Sequence, residues 1–180
     1  RILAGAQLGL AICALLMASA PAWGQVPRFE PSPEADLATL SSLQASQRLA
    51  AIARDAGMAI CGGNCMGFAN LERHVRALGF YEPKDAPVGG VTFLSHSGSA
   101  FSAMIHNDRA LGLNLAVSAG QEFVTTVADY LGYALGLEST RAVGLFIETV
   151  RDPDGFRSAL ELANERDIPV VALKVGREER

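Results

Sequence analysis

The sequence predicts an α/β fold built on a doubly wound parallel sheet, and three observations carry that expectation. Four short runs are apolar almost throughout: VTFLS at 91–95, LNLAVSAG at 113–120, RAVGLFIE at 141–148 and IPVVALKVG at 168–176. Strands buried on both faces read this way, whereas a half-exposed strand alternates. Between the runs lie segments with helical spacing, and each run ends in a turn rich in small or polar residues.

Taken in order, residues 1–24 begin with a basic residue, continue as an apolar stretch and reach Ala18-Ser19-Ala20 before Pro21. That is the layout of a secretory signal peptide; a foreign apolar segment is the other reading. Residues 25–42, with prolines and several acids, read as a linker. LQASQRLAAIARDAG then places Leu43, Leu49, Ile52 and Ala56 on one helical face, and Gly57 ends the helix. MAICGGN at 58–64 reads as a short buried strand entering a glycine-rich turn. After a loop at 83–90 and the strand at 91–95, SAFSAMIHNDRALG reads as a helix ending at Gly112. FVTTVADYLGYALG is a helix with Val124, Val127, Tyr130 and Leu131 on one side, and residues 153–166 form the last helix.

Composition narrows the function. A chain of 180 residues with 49% hydrophobic and 19% charged residues can bury a sizeable core. Its net charge of −4 and the absence of a basic stripe argue against nucleic acid as a partner. The three cysteines make no disulfide framework. Cys61 and Cys65 have no matching Cys or His pair downstream, so two of the four ligands of structural zinc are present and no metal site is expected.

In open sheets of this kind, ligands sit beyond the carboxyl ends of the strands. Read at those points, the chain offers Ser95-His96-Ser97-Gly98-Ser99, then Ser118-Ala119-Gly120-Gln121-Glu122, then Glu148-Thr149-Val150-Arg151-Asp152, then Lys174-Val175-Gly176-Arg177. Ser97, Gly98 and Ser99 form the candidate phosphate site. The first N–H groups of a helix are unpaired, and its dipole adds roughly half a positive charge there. Gly98 lets backbone approach an anion, and the hydroxyls add donors. The plainer alternative is that Ser97 and Ser99 cap a helix and Glu148 is a solvated strand end.

The stretches GGVTFLSHSGSAFSAM, VSAGQEFVTTVADYLGYAL, AVGLFIETVRDPDGFRSALELANERDIPVVALKVGRE and AICGGNCMGFANL resemble the nucleoside-diphosphate-forming acyl-CoA synthetases. This family includes ADP-forming acetate–CoA ligases and the alpha subunit of succinyl-CoA synthetase. The resemblance runs from Leu43 to Arg177 and leaves out residues 1–42. It implies a flavodoxin-like domain at 89–180, truncated before the phosphohistidine turn, and the tail of a Rossmann CoA-binding domain at 43–82. It also implies an acid–thiol ligase, forming acyl-CoA from a carboxylate, CoA and ATP through acyl phosphate and a phosphohistidine.

By the same resemblance, SHSGS matches the Ser-x-Ser-Gly turn that receives the phosphate of the phosphohistidine. Glu148 matches the glutamate that orients that histidine. CGGNCMGFAN matches a Gly-Pro-Asn-Cys-x-Gly signature, with Gly63 in place of proline, which makes Asn64, Cys65 and Gly67 near-CoA or interdomain residues. His96, where the family has Arg, Gln or sometimes His, is a supporting candidate, as are Gly120 and Glu122. The phosphohistidine itself is expected beyond Arg180, and His74 and His106 are expected at the surface. The implied cofactors are CoA and ATP/ADP with Mg2+, the nucleotide being held on a partner ATP-grasp domain or beta subunit. The complete enzyme is expected to be an oligomer in the cytoplasm, with the signal-like start as a conflicting hint of export. Two alternatives stand beside it: a non-catalytic CoA- or acyl-CoA-sensing module of a protein acetyltransferase, and a secreted flavodoxin-like binding protein.

Overall fold

The computed structural model describes residues 42–81 and 86–176. The signal-like segment at 1–24, the linker up to residue 41 and the chain from Arg177 onward lie outside them. The described elements are α1 (Ser42–Asp55), β1 (Gly67–Asn70), β2 (Val75–Leu78), β3 (Val88–Ser95), α2 (Gly98–Ile105), β4 (Leu113–Ser118), α3 (Val127–Leu135), β5 (Ala142–Ile147), α4 (Pro153–Glu165) and β6 (Val170–Lys174).

Six strands form one sheet in the order β2-β1-β4-β3-β5-β6. The four strands expected from their apolar runs pair in parallel: β4 with β3, β3 with β5, and β5 with β6. The chain leaves β3 toward β4 and then crosses to the other side of β3 for β5 and β6, which is the doubly wound pattern. The sheet as a whole is mixed, however, because β1 runs antiparallel to both β2 and β4. This hairpin falls within residues 43–82 and extends the same sheet. Its turn is closed by Asn70, whose side-chain oxygen accepts the Arg73 N–H at 2.9 Å, and by His74 at φ 57°.

Alternate residues of the central strands feed two cores. On one face Phe93, Leu113 and Ala116 meet Phe101 and Ile105 of α2, with Ala69 and Leu71 of the hairpin region. On the other, Leu94, Val117, Val143, Leu145 and Ile147 meet Val127, Tyr130, Leu131, Ala134 and Leu135 of α3 and Ala159 and Ala163 of α4. The strand interiors are pinned by a buried polar chain. Thr92 Oγ1 donates to Asn114 Oδ1 at 2.8 Å, Asn114 Nδ2 donates to Thr140 Oγ1 at 2.7 Å, and Thr140 Oγ1 donates to the Ala134 carbonyl at 2.6 Å.

Five expectations change. IPVVALKVG forms β6, at the edge of the described sheet and with Val171 and Leu173 exposed, so it is not covered on both faces. The helix expected over FVTTVADYLGYALG begins only at Val127, with Thr126 as its N-cap, so Val124 lies in the preceding loop and not on the helix. MAICGGN forms no strand; it is extended chain tied to the loop after β4 by Gln121 N–H to Gly63 O (2.7 Å), Phe123 N–H to Gly62 O (2.8 Å) and Thr125 N–H to Ile60 O (3.3 Å). The buried side of α1 is lined by Ala50 and Ala53, while Leu43 and Ile52 face solvent, because the small alanines allow close approach. The helix after β3 ends at Ile105 rather than Gly112. Its C-cap His106 is followed by Asn107, whose side chain bonds the Met104 and Leu111 carbonyls and the Arg109 and Leu111 N–H groups, so a polar loop replaces the last expected turn.

Candidate anion site at the strand ends

The carboxyl ends of β3, β4 and β5 open into a cavity of about 880 Å³. Its wall takes His96, Ser97, Gly98 and Ser99 from the β3–α2 turn, Gly120 and Gln121 from the loop after β4, and Glu148 from the end of β5. Asn64, Cys65 and Met66 close it from the turn before β1. Eight sequence-selected residues thus converge: Asn64, Cys65, His96, Ser97, Gly98, Ser99, Gly120 and Glu148. Their meeting point is where strand order reverses around β3. Gly67 lies away from the cavity in β1, at φ 97°, where a Cβ would fall 1.9 Å from the Ala77 carbonyl oxygen. Gln121, one of the strand-end residues read from the sequence, also lines the wall, as do Met66, Ser102 and Ala103, which were not singled out there.

The turn before α2 is organised by serines. Ser95 Oγ accepts the Ser97 N–H at 3.1 Å and donates to the Ser97 carbonyl at 2.8 Å. Ser97 is the N-cap, its Oγ accepting the Ala100 N–H at 3.3 Å. The capping alternative is therefore true of Ser97, and it leaves the hydroxyl proton of Ser97 free. The first-turn N–H groups of Gly98 and Ser99 have no acceptor among the described residues. Two N–H groups and two hydroxyls, at the positive end of a helix, suit an oxyanion.

His96 sits behind this turn, its side chain only 4% exposed. Nδ1 accepts the Glu148 backbone N–H at 3.0 Å. In the neutral ring the proton is therefore on Nε2, which lies 3.2 Å from Glu122 Oε1 without the alignment of a formed hydrogen bond. Glu122 is fully buried behind His96, at φ 54°, and its Oε1 also accepts the Val127 N–H at the start of α3. His96 is thus a brace under the cavity, with neither ring nitrogen free for an anion. The Glu148 carboxylate, by contrast, is at the exposed strand end and has no partner among the described residues. His106 is exposed at the C-cap of α2, its Nδ1 2.9 Å from the Ser102 carbonyl oxygen, and exposed His74 lies in the β1–β2 turn, both apart from the cavity wall. Among the described residues no cluster of three or more His, Cys, Asp or Glu could hold a metal ion.

Comparison with known proteins agrees with this architecture. Residues 88–180 match the family described as the succinyl-CoA ligase like flavodoxin domain. Over 135 residues the chain is 33% identical to a trans-feruloyl-CoA synthase from an unknown prokaryotic organism, covering 72% of this chain and 19% of that protein. Over 147 residues it is 29% identical to an ADP-forming acetate–CoA ligase of Methanocaldococcus jannaschii, covering 81% of this chain and 20% of the relative. A crystal structure of a protein from Pyrococcus horikoshii OT3 superposes with a TM-score of 0.64 at 28% identity, covering 75% of this chain and 31% of that one. The chain spans about a fifth of the length of these curated relatives. With the family match covering more than half of its residues, and the doubly wound sheet and strand-end site in place, the chain belongs to the succinyl-CoA ligase like flavodoxin domain family.

Proposed function

We propose that this chain is part of an acyl-CoA synthetase that forms acyl-CoA and a nucleoside diphosphate from a carboxylate, CoA and ATP. The observation that carries the reading is the juxtaposition of an unpartnered Glu148 carboxylate with the free donors of Ser97, Gly98 and Ser99 across one cavity. A histidine phosphorylated by ATP would be received there. Glu148 would accept the N–H of one ring nitrogen, fixing the tautomer and raising the nucleophilicity of the other. The α2 donors would bind the phosphoryl oxygens as the group passes to the carboxylate, giving acyl phosphate and free histidine. Attack of the CoA thiol on the acyl carbonyl then releases phosphate and leaves acyl-CoA.

His96 is unsuited to be the phosphorylated residue, since both its nitrogens face the protein. The acceptor histidine in this reading comes from outside the described residues. Asn64 and Cys65, on the opposite wall, suit the approach of CoA. ATP with Mg2+ would be held on an ATP-grasp domain or beta subunit, in an oligomeric enzyme working in the cytoplasm, where these substrates are kept. The test uses the complete gene product and γ-labelled ATP. We expect an acid-labile, base-stable phosphoprotein that discharges with carboxylate and CoA, and a loss of phosphoryl transfer of roughly 10²-fold or more in Glu148→Gln. Wild-type labelling in the variant, or no labelled phosphoprotein at all, would sink the assignment.

A further inference from the structure

Cys61 and Cys65 stand at the two ends of the turn Cys61-Gly62-Gly63-Asn64-Cys65, and neither is in a disulfide. The turn doubles back through left-handed backbone at Gly62 (φ 105°) and Asn64 (φ 49°). The Cys65 sulfur folds over it so closely that a Cβ on Gly62 would sit 2.7 Å from Sγ. Cys65 Sγ lies 3.6 Å from the Cys61 carbonyl oxygen, and the two side chains are in hydrogen-bond contact. Cys61 is the inner member: its Sγ is 3.7 Å from the Ser118 carbonyl oxygen and it adjoins the buried Tyr130 hydroxyl. Cys65 is the outer member, on the wall of the cavity. One thiol is accessible and the other waits behind it, which is the layout of an attacking and a resolving cysteine.

The outer thiol is also ionised near neutrality. The hydrogen bond from the Cys61 thiol, assisted by the N–H groups of Gly67 and of Cys65 itself, outweighs burial and lowers Cys65 from 9.0 to about 6. Burial pushes the Tyr130 hydroxyl up, so it remains a neutral neighbour of Cys61.

We infer that Cys61 and Cys65 form a thiol–disulfide exchange site for low-molecular-weight disulfides entering the cavity. The Cys65 thiolate attacks one sulfur of the small disulfide; that S–S bond breaks, one half leaves as a thiolate, and the other half stays on Cys65 as a mixed disulfide. Cys61 gives its proton to the departed thiolate, and its sulfur attacks that of Cys65. This expels the second half as a thiolate and closes the Cys61–Cys65 disulfide. Two protein sulfurs are oxidised and one small disulfide is reduced to two thiols. The mixed disulfide stands in the cavity beside Gly98 and Ser99, so exchange and anion binding compete for the same space. The site does not depend on the acyl-transfer reading.

The experiment uses the 180-residue chain with Cys13→Ser, which leaves only these two thiols. It is incubated with oxidised glutathione at pH 7 and read by intact mass and peptide mapping. We expect the Cys61–Cys65 disulfide in this parent, a persistent glutathione adduct on Cys65 in Cys61→Ser, and a reduced Cys61 in Cys65→Ser. Site-resolved alkylation of the reduced parent should label Cys65 about tenfold faster at pH 7 than at pH 5, as a thiolate formed near pH 6 requires. Both cysteines staying reduced, an adduct forming on Cys61 first, or Cys65 alkylating with the pH dependence of free cysteine overturns the inference. The alkylation profile is taken on the parent, so it decides the matter even if a serine variant fails to fold.

Discussion

The imidazole of His96 accepts the backbone N–H of Glu148 at 3.0 Å, joining the end of β3 to the end of β5. On its other side the same ring faces Glu122, in the loop that follows β4. One side chain therefore ties together three strand ends, at the place where the sheet changes winding direction. The ring does this only as the Nε2–H tautomer, because a protonated Nδ1 cannot accept. Glutamine has the same two functions in one amide: an oxygen to accept from Glu148 and an NH2 to donate toward Glu122.

His96→Gln should accordingly keep the fold within about 1 kcal/mol, whereas His96→Leu leaves the Glu148 N–H without its acceptor, puts an apolar group against the buried Glu122 carboxylate and should cost about 1–3 kcal/mol. Urea unfolding of the three proteins measures this. A leucine variant as stable as wild type would show that the ring braces nothing.

The α2 turn should bind inorganic phosphate. A ligand that binds only the folded state stabilises it, by about 1.4 kcal/mol at ten times Kd, and this shows as a raised Tm over chloride at matched ionic strength. Gly98→Asp places a negative charge in the turn and should remove the phosphate-specific shift. Gly98→Ala is the control, since its Cβ would meet the same Met66 side chain at 2.8 Å without adding charge. Equal shifts in Gly98→Ala and Gly98→Asp would mean that phosphate does not use this turn.

Gly120 holds φ 60°, and a Cβ there would lie 2.2 Å from the Gly63 carbonyl oxygen. Gly120→Ala should therefore cost about 2 kcal/mol or more by forcing the 61–66 turn away from the loop after β4. Gly132, within α3, has open space around it, and Gly132→Ala should stabilise by about 0.5–1 kcal/mol. Opposite signs for two Gly→Ala changes in chemical denaturation are the expected reading; a neutral Gly120→Ala would contradict the close approach.

From Val88 onward the strand positions were legible in their apolar runs, and β4, with every residue buried, is the clearest case. β6 shows that such a run does not require burial on both faces, since Val171 and Leu173 are exposed in it. The β1–β2 hairpin was not legible, since GFAN and VRAL are four residues each and too short and mixed to show a period. MAICGGN misled for a related reason: its apolar character comes from lying against residues 121–125, which pattern alone does not separate from strand pairing. The strand-end residues of the site could be selected before any coordinates because topology dictates where ligands sit. The role of Glu122 could not, since it depends on a left-handed loop residue turning a carboxylate inward beneath His96.

The antiparallel partnership of β1 with β4 has a practical meaning. Residues 67–70 cover the backbone of Leu115, Ala116, Val117 and Ser118, a flat and wholly buried run. Stripped of that cover, β4 would present a naked row of N–H and C=O groups flanked by apolar side chains, a template for sticking to other copies. The family match begins at residue 88, yet a fragment cut there would carry this self-adhesive border. The working seam of the module lies upstream of Gly67, and tags, fusions or domain transplants belong on that side of the hairpin.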